Sequence, residues 1–162
     1  CQALADQFRN ASNLKTPSLI LSSHEVKAFQ TGAQLANRLD IKFGGSAING
    51  FEEQDRSGAP FFDSRAQFDY AIENFFKQTG RPVFGRESAD QAAARFHVGI
   101  TQAVTTYPHD GLGIVSHGRV ITAFLNRFTT IDPFPFWKSL TMPAVIEITW
   151  PKIEIESTQL FE

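Results

Sequence analysis

Two clusters of polar side chains are the best candidates for chemistry in this sequence, because each follows a short apolar run and precedes a helical pattern. The first cluster contains Ser22, Ser23, His24 and Lys27, and the second contains Ser116, His117 and Gly118. In open α/β sheets, ligands bind outside the carboxyl ends of the strands, and a helix that begins there offers its free amides and its dipole to an anion. The clusters therefore predict a site for an anion such as a phosphoryl group.

His117 is the strongest single candidate of the four histidines. A histidine followed by glycine at the end of a strand places a polar ring where backbone amides converge and a ligand can approach. A capping or packing role is the alternative. His24 belongs to the same region, whereas His97 lies inside a helical pattern and His109 follows a proline in a turn, so a structural or surface role is predicted for these two.

Charged residues are further candidates. Lys27 lies near the start of a helical pattern, where a cation opposes the helix dipole unless an anion compensates; a solvent-facing lysine is the alternative. Glu52, Glu53, Asp55 and Arg56 lie in a glycine-rich segment between predicted elements. Such loops often carry catalytic groups, although an exposed charged loop explains the same pattern.

Strands alternate with helices along the sequence. Short apolar or alternating runs predict strands over 18–22, 113–116, 144–150 and 152–156. Apolar residues at spacings of three and four predict a helix at the start of the chain, with Leu4 and Phe8 on one face, and helices over about 25–39 and 67–77. Two more helices are predicted, one that begins at Ser88 and one that follows Gly118. This order predicts an α/β fold, a three-layer α/β/α sandwich with a mostly parallel central sheet.

Three local details accompany this prediction. The apolar stripe of the helix over 25–39 is predicted to face the sheet through Val26, Phe29, Ala33 and Ala36. Ser88 and Gln91 have the spacing of a capping box at a helix start. Gly44 and Gly45 are predicted to mark a loop.

Composition limits the classes of protein and of partner. The 162 residues, 42% of them apolar and 16 of them phenylalanine, are enough for one domain over 1–162. A net charge of -2 with scattered basic residues makes nucleic acid a poor candidate partner, and no apolar run is long enough to span a membrane. A single cysteine, Cys1, excludes an internal disulfide framework, so a cytoplasmic location is predicted. The oligomeric state is not indicated.

These segments resemble the histidine phosphatase (phosphoglycerate mutase-like) superfamily. Residues 22–31 resemble its Ser-Ser-Pro-x-x-(Arg/Lys)-Ala-x-(Gln/Glu)-Thr block, and residues 115–121 resemble its second catalytic histidine motif, Val-(Ser/Thr)-His-Gly-x-x-Ile. Residues 51–53 resemble the Leu-x-Glu that supplies the proton donor, and residues 84–88 with Arg95 resemble its Gly-x-Glu-Ser region. The motifs occur in the family's order over nearly the whole chain.

The resemblance implies a phosphomonoester hydrolase that acts through a phosphohistidine intermediate on a small phosphorylated substrate, without metal or cofactor. It implies that His117 donates a hydrogen bond to the transferring group and that Glu53 protonates the leaving alcohol. It further implies that Ser23, Gly118 and Lys27 bind phosphate, with Arg56 assisting. His117, Lys27 and Glu53 are then expected to surround one anion.

Two departures from the family pattern carry consequences. The Arg-His-Gly motif, whose histidine is the family's nucleophile, does not occur in the sequence, and the usual arginine of the first block is Lys27, which keeps the charge but loses bidentate contact with phosphate. We therefore expect a chain truncated at its N-terminus, with little or no phosphatase activity as given.

Two alternatives to a phosphatase are kept open. A non-catalytic module for phosphate binding or protein interaction would bind phosphate without turnover. A phosphoglycerate mutase would return the phosphoryl group to its substrate, which a cofactor-primed mutase assay detects.

Overall fold

The computed structural model describes residues 2–10, 14–108 and 111–161, so that Cys1 and His109 lie outside the described residues. Six helices and five strands occur in these ranges. The helices are α1 (Gln2–Asn10), α2 (Val26–Leu39), α3 (Arg65–Lys77), α4 (Ala89–Thr106), α5 (Gly118–Phe128) and α6 (Pro133–Ser139). The strands are β1 (Leu19–Ser22), β2 (Lys42–Gly45), β3 (Leu112–Val115), β4 (Ala144–Ile148) and β5 (Ile155–Leu160).

The residues divide into two compact units. The first unit consists of Cys1–Glu52, His97–His117 and Phe161, and the second consists of Glu53–Phe96, Gly118–Leu160 and Glu162. The expectation of a single domain over the whole chain stays a prediction.

A three-stranded parallel sheet forms the centre of the first unit, in the order β2, β1, β3. All four residues of β1 are buried, and the strand has a hydrogen-bonded neighbour on each side. Its apolar run Leu19-Ile20-Leu21 is typical of a strand covered on both faces of the sheet. The predicted α/β class and parallel sheet are thereby confirmed. The element that the sequence prediction missed in this unit is β2.

Gly44 and Gly45 belong to β2 and not to the predicted loop. A β-carbon on Gly44 would lie 2.7 Å from the Leu21 side chain, so the absence of a side chain allows β2 to lie beside the bulky residues of β1. Because glycine is rare inside strands and common in loops, composition alone favoured the wrong assignment.

The predicted apolar stripe of α2 is also corrected. Val26 and Phe29 are exposed and Ala33 is only partly buried, whereas Ala36 is buried as predicted, together with Ala28, Gly32 and Leu35. The packing depends on Gly32, where a β-carbon would lie 3.0 Å from the Phe43 ring and 3.4 Å from the Ile20 side chain. The helix therefore packs through its small residues, which a count of large apolar residues does not detect.

The second unit contains α3, α5 and α6 and an antiparallel pair of strands, β4 and β5. The strand predicted over 152–156 begins later, at Ile155, and it pairs with β4 in a two-stranded sheet separate from the parallel one. Phenylalanine rings fill the interior, with Phe75 in contact with Phe76 and Phe84 at centroid distances of 5.2 and 5.8 Å.

None of the described helices is both long enough and apolar enough to cross a membrane.

The capping box predicted at the start of α4 is confirmed. The Ser88 hydroxyl accepts a hydrogen bond from the Gln91 amide at 3.2 Å, and the Gln91 side-chain oxygen accepts one from the Ser88 amide at 2.9 Å. Two amides that α4 leaves without helical partners are satisfied in this way.

One carboxylate connects α3 to α6 in the second unit. Asp69, on α3, accepts hydrogen bonds from Lys138 of α6 and from Arg65, the latter at 2.8 Å. The hydrogen bond from Lys138, and after it the contacts with Arg65, hold the pKa of the Asp69 carboxyl below its ordinary value. The ionised Asp69 therefore stabilises the folded protein at pH values above the pKa that its carboxyl has in the unfolded chain. This stabilisation is lost as the pH falls through the lower pKa that the carboxyl has in the folded protein.

The substitution Lys138→Met tests this connection. Because the principal donor is removed, the pKa of Asp69 should rise toward its ordinary value in an NMR titration of the side-chain carboxyl carbons. The matched control is Lys77→Met, since Lys77 pairs with Glu73 on the same helix. A pKa of Asp69 that is the same in wild type and Lys138→Met would contradict the connection.

Candidate active site

The carboxyl ends of β1 and β3 lie side by side in the first unit. Ser22 pairs with Val115, and the amide of Ser23 donates to the Val115 carbonyl at 2.9 Å, which continues the pairing one residue beyond the strand. Ser23 and His117 are consequently brought together although 94 residues separate them in sequence.

The His117 ring contacts two side chains that follow β1. Its Nε2 atom lies 3.1 Å from the Ser23 hydroxyl and 3.3 Å from Oε1 of Glu25. The Ser23 hydroxyl also accepts a hydrogen bond from the Glu25 amide at 3.1 Å, so the turn between β1 and α2 presents both partners to the ring. Because Ser23 is buried and His117 is largely buried, the ring is fixed at the end of the sheet.

A second set of contacts anchors the loop at 50–52 to the same two strand ends. His24 Nδ1 lies 2.9 Å from Oε1 of Glu52, whose other oxygen accepts the Gly50 amide at 2.9 Å. The Ser116 hydroxyl donates to the Phe51 carbonyl at 2.6 Å. His24 and Ser116 thus hold this loop in place, and neither contacts the His117 ring through these bonds.

Two residues predicted near this edge have other surroundings. Ser22 is buried, and its side chain lies against the position of Gly32 on α2, so it belongs to the helix packing. Lys27 lies in the first turn of α2 and is exposed, and within the described ranges no ion pair joins its ammonium group to the His117 cluster. Its role in binding phosphate stays a prediction.

The Glu53 carboxylate is held at the start of α5 in the second unit. Its Oε1 atom accepts hydrogen bonds from the amides of Gln54, at 3.0 Å, and Val120, at 3.2 Å. Val120 is the third residue of α5, and its amide is one of those without a partner inside the helix. Oε2 lies 3.3 Å from a guanidinium nitrogen of Arg119, which is buried. The N-terminus of α5, which begins at Gly118, therefore carries a fixed carboxylate.

An ion pair between Arg95 and Glu87 contacts the backbone of Glu53 in the same unit. Arg95 donates to both oxygens of Glu87 at 2.8 Å, and it also donates to the Glu53 carbonyl at 3.3 Å. Glu87 in turn accepts the amide of Asp55 at 3.0 Å. This bidentate pair joins the residues on either side of Gln54 to α4.

The side chain of Gln54 reinforces the same segment. Gln54 is 2% exposed, and its amide nitrogen donates to the carbonyls of Phe84 and Glu87 at 2.9 and 3.1 Å. Gly85 makes this close packing possible, since its backbone has a φ of 74° and a β-carbon there would lie 2.3 Å from the Asp55 carbonyl oxygen. The position of Glu53 is thus fixed by backbone contacts on both sides.

Arg56 lies apart from the Glu53 contacts. Its guanidinium carbon lies 5.8 Å from the centre of the Phe68 ring, and the residue is exposed on the rim of a groove of the second unit. Among the described residues no cluster of three or more His, Cys, Asp or Glu side chains is arranged to hold a metal ion.

Two contact residues were missed by the sequence prediction. Glu25 appeared only as the first residue of a helical pattern, yet it contacts His117. Arg119 appeared as a variable position after His117-Gly118, yet it pairs with Glu53. Each of these charged residues follows a strand-end histidine within two positions. This spacing is only a weak signal for a contact residue, because charged residues are common at helix starts.

The fold and these contacts define an α/β protein with a histidine at the carboxyl edge of a parallel sheet. A family model described as the histidine phosphatase superfamily (branch 1) matches residues 1–159. The chain therefore belongs to this superfamily, and the predicted family is confirmed.

Several solved structures share the fold. A mycobacterial glucosyl-3-phosphoglycerate phosphatase in complex with VO3 has a TM-score of 0.64 at 16% identity, and the match covers 98% of this chain and 82% of that one. A structure named mycobacterial hydrolase 2 has a TM-score of 0.65 at 18% identity, with 98% and 74% covered. A mutant phosphoserine phosphatase from Entamoeba histolytica, in complex with phosphoserine, has a TM-score of 0.62 at 16% identity, with 96% and 78% covered.

These matches confirm the predicted phosphoglycerate mutase-like α/β fold. A search of curated proteins finds no match.

The substitution Arg95→Met tests the support of Glu53. Removing the guanidinium leaves the largely buried Glu87 without its charged partner, so the free energy of unfolding should fall by about 1.5–3 kcal/mol in chemical denaturation. The control is Arg127→Met, because Arg127 and Asp90 form a solvent-exposed pair at 3.7 Å and its loss should cost less than about 1 kcal/mol. Equal losses in the two variants would contradict the proposed support.

Proposed function

We propose that the protein is a phosphomonoester hydrolase that acts through a phosphohistidine intermediate. The observation that carries the proposal is the His117 ring held beside Ser23 at the carboxyl edge of a parallel sheet, in a chain of the histidine phosphatase superfamily. The names of two structural neighbours, a glucosyl-3-phosphoglycerate phosphatase and a phosphoserine phosphatase, support the same class of reaction.

In this proposal His117 stabilises the group in transfer. An N–H of its imidazole donates a hydrogen bond to an oxygen of the phosphoryl group and stabilises the negative charge that develops on that oxygen. Ser23 and Glu25 orient the ring before substrate binds. The Ser23 hydroxyl and the Gly118 amide bind phosphoryl oxygens, and Lys27 and Arg56 add positive charge.

The nucleophilic histidine is proposed to lie on a strand that pairs with the second edge of β3. β3 consists of four apolar or small residues, and these residues are only half-buried. It has β1 on one side and, among the described residues, no strand on the other. An apolar strand with an unpaired edge is a template for another strand. A parallel strand added there would end at the same edge of the sheet as His117. The Arg-His-Gly motif that would identify it does not occur in the 162 residues.

The proposed reaction has two balanced steps. In the first, the imidazole nitrogen of the nucleophile attacks phosphorus, the bond from phosphorus to the alcohol oxygen breaks, and the Glu53 carboxyl gives its proton to the leaving alkoxide. In the second, water attacks phosphorus, the phosphorus–nitrogen bond breaks, and the Glu53 carboxylate takes the proton of the water. Inorganic phosphate and the free alcohol are the products, and no electron transfer is involved.

The other expectations for this protein remain parts of the same proposal. They are a small phosphorylated substrate, a cytoplasmic location, no nucleic-acid partner, a single domain over 1–162 and little activity of this chain without the additional strand.

Activity of a longer version, with the upstream coding sequence restored, tests the proposal. It should hydrolyse p-nitrophenyl phosphate, and His117→Ala should lower kcat/KM by about 10²–10³-fold, because one preorganised donor to the transferring group is lost. The control is His97→Ala, since His97 lies on α4 and takes no part in the contacts described for His117, and its loss should leave kcat/KM within about threefold.

Inactivity of the longer version toward a broad panel of phosphomonoesters would contradict the proposal. Binding of inorganic phosphate without turnover would favour the non-catalytic module, and phosphoryl return to substrate in a cofactor-primed assay would favour the mutase.

A further inference from the structure

The second unit contains a groove of about 580 Å³ beside the start of α3. Its lining includes aromatic and basic side chains: Arg56, Phe61, Phe62, Arg65 and Phe68. The groove is wide enough for a small molecule but is largely open to solvent.

One ring that lines the groove is packed against other rings, and another is exposed. Phe62 packs edge-on against Phe68 at 5.6 Å and against Phe84 at 5.8 Å, which fixes its orientation. Phe61 is 89% exposed, although its neighbour in sequence is packed. A phenylalanine so exposed beside other aromatic rings is typical of a surface that contacts a ligand.

The charge of the groove comes from Arg56. Arg56 and Arg65 both lie against the Phe68 ring, at 5.8 and 5.7 Å from its centre. Arg65 pairs with Asp69 at 2.8 Å, so its charge is compensated. Within the described part of the chain Arg56 has no carboxylate within ion-pair distance, so an uncompensated guanidinium faces an aromatic wall. A flat ligand with an attached anion matches this combination.

The groove and the proposed proton donor belong to the same unit, and Arg56 follows Glu53 by three residues. We propose that this groove is the leaving-group subsite and that it selects phosphomonoesters of aromatic alcohols, whose ring packs against Phe61 and Phe68 while Arg56 pairs with phosphoryl oxygens. The inference rests on the proposed hydrolase function and specifies its substrate class.

Binding of two phosphonates, which cannot be hydrolysed, tests the subsite in this chain independently of catalysis. Phenylphosphonate should bind about tenfold more tightly than methylphosphonate in calorimetric titrations, since the ring adds an aromatic contact. Phe61→Ser should remove most of this preference. The control Tyr70→Ser should retain it, because Tyr70 is also an exposed aromatic residue and lies on α3 outside the groove. Arg56→Gln should weaken binding of both phosphonates.

Three outcomes would overturn the subsite. They are equal affinity for the two phosphonates, a preference that Phe61→Ser leaves intact, and self-association of the wild-type chain that Phe61→Ser abolishes, which would make the groove a contact between copies.

A separate assay distinguishes this inference from the hydrolase function. With the longer version, kcat/KM should be at least about tenfold higher for benzyl phosphate than for ethyl phosphate, since the two leaving alcohols are of similar basicity and differ in the aromatic ring. Turnover without this preference would contradict the subsite alone, whereas selective binding of phenylphosphonate with no turnover of any ester would contradict the hydrolase function alone.

Discussion

The parallel pairing of β1 with β3 is the constraint on which the candidate site depends. Because the two strands run in the same direction and Ser22 pairs with Val115, the residues that follow them must emerge at one edge of the sheet. The hydrogen bond from Ser23 to the Val115 carbonyl extends this register by one residue and places the Ser23 hydroxyl beside the His117 ring. A shift of one residue would turn these side chains to the opposite face.

Much of this arrangement could be predicted from sequence, because apolar runs followed by polar residues and helical patterns are strong local signals. His117 and Ser23 were both identified as strand-end residues, and they are in contact. The partners Glu25 and Arg119 could not be chosen in the same way. Their contacts depend on how a turn and a helix start are oriented, and nothing in the spacing of charged residues specifies that orientation.

The errors in the fold prediction have a common physical origin in small residues. Gly44 was interpreted as part of a loop, yet it lies within β2, where the Leu21 side chain approaches closely. Gly32 was left out of the predicted apolar stripe, yet it lies in the buried face of α2, where the Phe43 ring approaches closely. Large apolar residues were interpreted as core, yet Val26 is 68% exposed. Close approach is a property of two elements together, so a pattern within one element does not reveal it.

Titration of the isotope-labelled chain with inorganic phosphate, followed by NMR, tests most directly whether the strand-end edge is an anion site. The account predicts saturable shifts of the backbone amide signals of Ser23, Glu25 and His117, and loss of the Ser23 and Glu25 shifts in His117→Ala. The absence of phosphate-induced shifts at these three amides, or shifts at Ser23 and Glu25 that persist in His117→Ala, would contradict an anion site at this edge.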